Sequence, residues 1–598
     1  MGRTRMCVRA SSGSLLLCCL LAPAVWAGGD TLPYRRPGAS IPHPAAPTVA
    51  APAAVSNVNP NGATGLQVVP PPPTDAVYSQ EPMNDRWSLP QAFGFVTPRW
   101  YDPYHQNPLK GDIPVHGDWF LDLDVASDSV YESRYLPTPV APQSPSHAGA
   151  LDVIGDGSQH FFNQNLLLAA DYYEGDTTFK PPEYDFRVAA VLNYNHTETG
   201  ENRVLKVDPR TGPVRNDNFL GLQEAFFEKH LRDVSPNYDF DALRLGLQPF
   251  TSDFRGFLFI DNAPGVRLFG TRDSNRLQYN LGWFRLLEKD TNSGLNAVGQ
   301  SPRRDEVYVA NLYWQDSPER GYTSQFIYIY NRDREGDQGF YYDRNGFLVR
   351  PASVGQELPR NYFVSYLGYN GDGHFGRLNL TDSVYLAYGQ QSNSLFATGL
   401  SRIRAGFAAA EFSWDYDWTR LKGSVLYATG DRDPYDHTDT GFDAVVQDSL
   451  FAGADTSFWI RQAVPLIGGG GVTLTTRNGV LNDLRSSSDQ GQSNFTNPGT
   501  RLIGIGTDND LTPEWRLSIN FNQLWFDDTA VLEALRAQGG IPKSIGLDAS
   551  VAAIYRPLFN QNIILRLSGA VLFPGTGYQA LYGDRRGYSM LVDLIFTY

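Results

Sequence analysis

Apolar and polar residues alternate along most of the chain between about residues 117 and 598. From 408 to 418 every second residue is alanine or aromatic, while the residues between them are small, polar or acidic. Successive side chains of a β-strand point to opposite faces, so a period of two predicts strands that separate two environments. The same alternation recurs in the segments 186–195, 515–522 and 563–571.

The length and flanks of these segments favour membrane strands over those of a soluble β-sandwich, which alternate as well. The segments run for about 10 to 14 residues, whereas sandwich strands have mostly about 5 to 6 and tilted membrane strands need about 9 to 11. Aromatic residues stand near the segment ends, among them Trp119, Tyr194, Trp414, Trp515 and Tyr555. Such aromatic girdles are typical of outer-membrane barrels.

The connections divide the segments into two alternating sets. Short connections such as Thr419-Arg420 follow one set, and long ones, up to 431–500, follow the other. Bacterial outer-membrane barrels have short periplasmic turns and long outer loops in this way. Nine strands before long connections are predicted near 117–126, 184–196, 240–250, 276–287, 322–330, 375–390, 421–430, 514–526 and 560–573. Nine others are predicted near 159–173, 219–230, 265–271, 305–315, 361–369, 403–418, 501–507, 543–556 and 588–598. The fold class is therefore an all-β, transmembrane antiparallel barrel of about eighteen strands, and sixteen or twenty also fit.

The N-terminus has the layout of a secretory signal peptide. Three arginines precede a short apolar run at 14–26, and the small residues Val25 and Ala27 suit a cleavage site after Ala27. Lipoprotein processing at Cys18 or Cys19 is the alternative, but a bulky leucine precedes Cys18 where a small residue is needed. We therefore expect an exported chain.

Two segments without periodicity separate this leader from the strands. Residues 28–74 contain 11 prolines and predict a disordered, extended linker that could bind a periplasmic partner. Residues 75–116 are aromatic and irregular. No run beyond the leader approaches the roughly 18 apolar residues of a spanning helix.

Charge narrows the class of protein further. With 49 Lys+Arg against 64 Asp+Glu, the chain carries −15, which argues against a nucleic-acid binder because those need clustered cations. Loss of residues 1–27 removes three arginines, no acids and all three cysteines, so the exported chain would carry −18.

The final strand carries the specific resemblance. Residues 588 to 598 place Tyr588, Met590, Val592, Leu594, Phe596 and Tyr598 on one face. This resembles the terminal strand of Gram-negative outer-membrane β-barrel proteins. The resemblance implies an outer-membrane location, contact with lipid, and recognition by the barrel-assembly machinery through Phe596 and Tyr598. A barrel of eighteen strands is similar to those of the substrate-specific porins and of the alginate-export family. No motif in the sequence selects between these two families.

A closed barrel is required because strands in lipid must pair every backbone group. Barrels of about 16 to 18 strands leave an aqueous channel unless a loop or plug fills it, so we predict a porin-like channel for small hydrophilic solutes. The pore-lining candidates are Arg187, Arg244, Glu411, Asp415, Asp417, Lys422, Arg516, Asp548 and Arg566. Their mixed signs argue against a polyanion exporter; the charges could also simply pair across the wall.

The connection at 431–500 is far longer than a hairpin needs, and such loops are usually functional or disordered. It either folds into the pore as a constriction or covers the barrel mouth from outside.

Two further functions stay open. The barrel could sheath or anchor a partner such as a cytochrome, or export a polysaccharide. An enzyme is not expected, because the nine histidines are scattered and no G-x-S-x-G nucleophile motif occurs. No cofactor or metal motif is found.

Overall fold

We describe a computed structural model of the protein. The described residues are 94, 107–111, 114–136, 155–175, 181–202, 205–237, 239–351, 355–453, 456–458, 464–465, 471–472, 488–557 and 562–598. The expected signal peptide, the linker and most of residues 75–116, called here the lead-in segment, lie outside the described residues, so these expectations stay predictions.

Eighteen antiparallel strands form one closed barrel, as the alternating pattern predicts. The first nine are β1 (Trp119–Tyr135), β2 (Gly155–Glu174), β3 (Tyr184–Glu201), β4 (Val214–Asp233), β5 (Phe240–Thr251), β6 (Ile260–Arg272), β7 (Leu277–Arg285), β8 (Asp305–Trp314) and β9 (Tyr322–Asp333). The others are β10 (Tyr362–Phe375), β11 (Leu378–Asn393), β12 (Thr398–Tyr416), β13 (Thr419–Ala428), β14 (Thr500–Asp510), β15 (Trp515–Trp525), β16 (Ser544–Tyr555), β17 (Ile563–Pro574) and β18 (Gly587–Thr597). Each strand pairs with its neighbours in sequence, and β1 pairs with β18 to close the sheet.

The outward positions of the strands are apolar over most of their length. On β12 these positions include Phe412, Trp414 and Tyr416, all exposed on the barrel exterior. Aromatic rings stack at the short-turn end, where the centroids of Trp515 and Tyr555 lie 4.5 Å apart. An apolar wall edged with aromatic rings is what a lipid-facing barrel presents.

Connections at one end of the barrel are short, as predicted. The turn between β12 and β13 is Asp417-Trp418, and Asp417 takes a positive φ of 50°. Most connections at the other end are long, but β11 and β12 are joined there by only 394–397. Two short helices, α1 (Ala530–Arg536) and α2 (Thr576–Tyr582), lie in long-end connections. No helix among the described residues is long and apolar enough to cross a membrane.

The described part of the lead-in segment completes the seam where the barrel closes. β18 ends at the level of Val125, whose carbonyl accepts a hydrogen bond from the Tyr598 amide at 2.8 Å. Beyond that level β1 pairs with the lead-in, because the Leu123 amide donates to the Leu109 carbonyl at 2.7 Å. Residues 109–111 thus satisfy backbone groups that would otherwise lack a neighbour.

Candidate functional site

Two long-end connections fold into the barrel and pair with each other there. They are the β5–β6 connection, 252–259, and the β13–β14 connection, described here over 429–453, 456–458, 464–465, 471–472 and 488–499. Phe259 and Val446 form a parallel bridge, and the Asp448 amide donates to the Gly256 carbonyl at 3.0 Å. Backbone pairing between the connections gives this part of the interior a defined shape.

Aromatic side chains join the two connections to the inner wall. Phe257 lies 4.9 Å from Phe407 of β12 between ring centroids, and Phe442 lies 5.1 Å from the same ring. Tyr385 of β11 stacks on Phe407 at 5.7 Å. These rings belong to one large buried apolar cluster. The inner face of these strands is therefore partly apolar, because the inward connections pack against it.

Glu411, a predicted pore-lining residue on β12, holds both connections at once. Its carboxylate lies 3.2 Å from the Arg255 guanidinium and accepts a hydrogen bond from the Ala452 amide at 3.1 Å. The hydroxyl of Ser424 on β13 donates to it at 3.0 Å. One carboxylate thus ties two connections to the wall.

Asp548, the fully buried candidate on β16, anchors the next part of the long connection. Its carboxylate accepts a hydrogen bond from the Phe458 amide at 3.2 Å. Nearby, Thr456 and Ser550 join through their hydroxyls at 3.2 Å. Between β12 and β16, the side-chain amide of Asn522 on β15 donates to the Ala452 carbonyl at 2.9 Å. The described limb of the β13–β14 connection therefore runs along the inner wall from β12 to β16.

Three buried arginines bind the returning limb of the β13–β14 connection, residues 488–493, by hydrogen bonds to its backbone. Arg303 donates to the carbonyls of Ser488 at 2.8 Å and Gly491 at 2.7 Å. Arg360 donates to the Ser493 carbonyl at 3.0 Å, and Arg350 donates to the carbonyl of Gln490. Charge-assisted hydrogen bonds to carbonyl groups are stronger than neutral ones, so this limb is firmly held.

Two of these arginines, Arg303 and Arg350, form ion pairs with carboxylates of the long-end connections. Arg303 and Glu335 form a bidentate pair with distances of 2.7 and 3.0 Å, and Arg350 pairs with Glu288. Burial acts to raise the pKa of Glu335, but Arg303 and Arg350 together outweigh it, so that pKa is lowered. Glu335 is therefore charged at neutral pH.

On the inner wall formed by β1–β5, Arg187, Asp124 and Asp171 are partly exposed, with 16%, 21% and 22% of their side chains accessible, while Glu224 and Glu228 are buried. Arg187 contacts Glu224 at 2.7 Å, Asp171 at 3.2 Å and Asp124 at 3.5 Å, and Arg244 contacts Glu228 at 2.7 Å. Near the short-turn end, this wall carries the acids Asp122, Asp124, Asp171, Asp185, Glu224 and Glu228, against Lys110, Arg187 and Arg244. Acids thus outnumber bases on this surface.

Four of the other predicted residues form ion pairs nearer the short-turn end. Asp415 pairs with Arg420 at 2.5 Å, Lys422 with Asp508 at 2.9 Å, and Arg516 with Asp510 at 2.6 Å. Arg566 lies 3.7 Å from Asp593. Asp417 lies in a turn instead of on a strand. The nine candidates are therefore spread around the barrel, and Glu411 and Asp548 contact the described part of the inward connection.

Sequence reasoning missed the loop residues that hold the inward limb, such as Arg303, Arg350 and Arg360. One signal was available on β12, where the polarity of the two faces reverses along the strand. Near the short turn the outward residues are aromatic, but at the long-loop end Arg402 and Arg404 point outward and Ile403 points inward. An inward apolar face at that end indicates something packed inside.

Comparisons with known proteins found no matching family model and no matching curated protein. Solved structures of similar shape include Pseudomonas aeruginosa OccK9 (OpdG), with 14% identity, a TM-score of 0.43 and coverage of 80% of this chain and 98% of that one. Acinetobacter baumannii OccAB3 has 10% identity and a TM-score of 0.43, covering 80% and 99%. A BenF-like porin from Pseudomonas fluorescens Pf-5 has 11% identity and 0.42, covering 80% and 98%. At such identities a resemblance of shape says nothing about which solute passes.

Proposed function

We propose that this chain is an outer-membrane channel for small hydrophilic solutes, narrowed by its own inward-folded connections. The observation that carries the proposal is that the β13–β14 connection runs along the inner wall from Glu411 to Asp548. The apolar outer wall supports a membrane location, and the partly open charged wall of β1–β5 supports a wet passage beside the inward connections.

This arrangement favours a constriction over an outer cap for the loop at 431–500. A cap would contact only loop ends, whereas Ala452 and Phe458 contact wall strands on their lumen side. It also disfavours a sheath for a partner protein, because the chain's own residues occupy part of the lumen.

Planar-bilayer recording of the purified protein tests the proposal. We expect stable single-channel steps from the full chain, and larger steps when 440–495 is replaced by a short glycine-serine linker. A variant carrying Glu411→Gln and Asp548→Asn keeps the connection but loosens its anchors, so it should show larger or noisier steps even if the deletion variant misfolds. Absence of conductance from folded protein, or unchanged conductance in both variants, contradicts the proposal.

A further inference from the structure

An apolar groove of 720 Å³ runs over the outer wall of β11–β15. The row of outward residues nearer the long-loop end crosses five strands. The strand register places side by side in this row Val384, Ala408, Tyr427, Arg501 and Trp525. The row nearer the short turns brings Ala410 beside Val425 and Val425 beside Ile503. The short alanine side chains on β12 lie between longer side chains on both neighbours, which makes the depression.

Two arginine side chains that point outward lie next to this groove at the long-loop end. Continuing along the outer face of β12, the groove leads from Ala408 past Gly406 to Arg404 and Arg402, both exposed. A side chain at Gly406 would meet no atom closer than 3.8 Å, so the path to the arginines is open. Within the described residues neither arginine forms an ion pair, whereas Arg501 is paired with Asp527 at 2.5 Å.

A second basic group flanks the same end. Lys543 lines the groove and lies 3.3 Å from Asp528. Because Arg501 and Lys543 are each balanced by a carboxylate, Arg402 and Arg404 give the long-loop end of the groove a net positive charge. Their Cα atoms are about 7 Å apart on the strand, close enough for two guanidinium groups to share one phosphate. Asp382 lines the opposite end of the groove, beside Ala410, and its carboxylate accepts a hydrogen bond from the Tyr322 hydroxyl.

We propose that this groove and the two arginines bind a phosphorylated acyl lipid of the outer leaflet, the lipid A part of lipopolysaccharide. An acyl chain would fill the groove over Ala408 and Ala410. Its headgroup phosphate would accept charge-assisted hydrogen bonds from Arg402 and Arg404, whose planar guanidinium groups suit phosphate geometry. The assignment rests on the proposed membrane location, which places the long-loop end outside.

The test is lipid binding to the purified full-length barrel in detergent, followed by native mass spectrometry. The probes are lipid A with two phosphates, dephosphorylated lipid A, and phosphatidylethanolamine. We expect the wild-type barrel to prefer phosphorylated lipid A, and R402Q/R404Q to bind it about tenfold more weakly. Ala408→Trp, which fills the groove, should weaken binding of both forms of lipid A.

Arg332→Gln is the matched control, because Arg332 is an arginine of β9 whose partner, Glu306, is 3.7 Å away. It should leave lipid A binding unchanged. Equal binding of phosphorylated and dephosphorylated lipid A, or equal losses in the control and in R402Q/R404Q, overturns the proposal. Single-channel conductance of R402Q/R404Q should match wild type, because neither arginine faces the lumen. A barrel that binds lipid A but never conducts would refute the channel function alone.

Discussion

The guanidinium group of Arg255 lies 3.2 Å from the carboxylate of Glu411, joining the β5–β6 connection to the inner wall of β12. Both side chains are mostly shielded from solvent, with 26% and 12% of their surface exposed. Because Glu411 also accepts the Ala452 amide at 3.1 Å, this single pair couples the positions of both inward connections.

Glu411→Ala should loosen both connections without opening the barrel. Loss of the carboxylate removes the ion pair of Arg255, which keeps its hydrogen bonds to Thr381 and Leu450, and leaves the Ala452 amide without its acceptor. The cost is about 1 to 3 kcal/mol in docking free energy. We expect noisier or larger single-channel steps in planar bilayers. Asp415→Ala is the control, because it also removes an inward carboxylate of β12 but one that pairs with Arg420 near the short turns. It should add no current noise, and equal noise in both variants would refute the anchoring role.

Much of the barrel could be predicted because its signal is local. Alternation on β12 and the short turn at Asp417 are readable within a few residues, and the structure confirms the eighteen strands. The interior could not be predicted in the same way, because Phe259 meets Val446 only after both connections fold inward.

For the candidate residues too, the local pattern predicts their position but not their partners. Alternation places Glu411 and Asp548 on the inner face, but nothing near them in sequence shows that they bind backbone amides of a distant connection. Arg303 resembles any loop arginine until residues 488–491 return to it. Long-range partners of this kind are set by packing rather than by local pattern.

Arg303→Met should release the returning limb of the long connection. The change leaves Glu335 buried without its bidentate partner, and breaking a buried ion pair costs about 3 to 5 kcal/mol. We expect faster amide hydrogen exchange across 488–493. The double variant R303M/E335L should be less harmful, because Glu335 is then no longer buried without Arg303, although Asp305 still loses that cation at 3.6 Å. Arg304→Met, at an exposed position with 47% of its side chain accessible, should leave the exchange rates unchanged. Slow exchange in Arg303→Met would show that Arg303 does not hold residues 488–493.

Docking of the inward connection should weaken as pH rises. Burial raises the pKa of Asp431, and that of Asp443, from the usual 3.8 to about 7. The docked state therefore holds protons that the free connection has lost, so its stability falls as the pH passes from about 4 to above 7. Current noise should be greater at pH 8 than at pH 5.5, and D431N/D443N should remove most of the difference. Noise that falls with pH would contradict the sign of this linkage.

The β1–β5 wall should make the channel prefer cations. Acids outnumber bases on this surface, and rings of carboxylates attract cations into a pore. A unit charge about 9 Å away in water changes an ion's energy by ~0.5 kcal/mol, with opposite signs for potassium and chloride. The two ions therefore shift by ~0.9 kcal/mol relative to each other, so Asp171→Asn should lower the potassium-to-chloride permeability ratio about fivefold. Reversal potentials in a salt gradient measure the ratio. Glu198→Gln, at an exposed position of β3, is the control and should leave the permeability ratio unchanged. An anion-selective wild-type channel would refute the prediction.

Lys110 should stabilise the closed seam of the barrel from the lead-in segment. Its ammonium group lies 2.8 Å from Asp124 and 3.0 Å from Asp122 of β1, and it donates to the Leu123 carbonyl at 2.9 Å. Lys110→Met keeps the stem but removes these bonds, leaving Asp122 without its cation and Asp124 with Arg187 alone, at a cost of about 1 to 3 kcal/mol. We expect unfolding at lower temperature, read from the shift between folded and unfolded bands on gels loaded after stepwise heating. Arg210→Met removes an exposed cation and should leave the transition in place; identical transitions in both variants would show that the lead-in does not stabilise the seam.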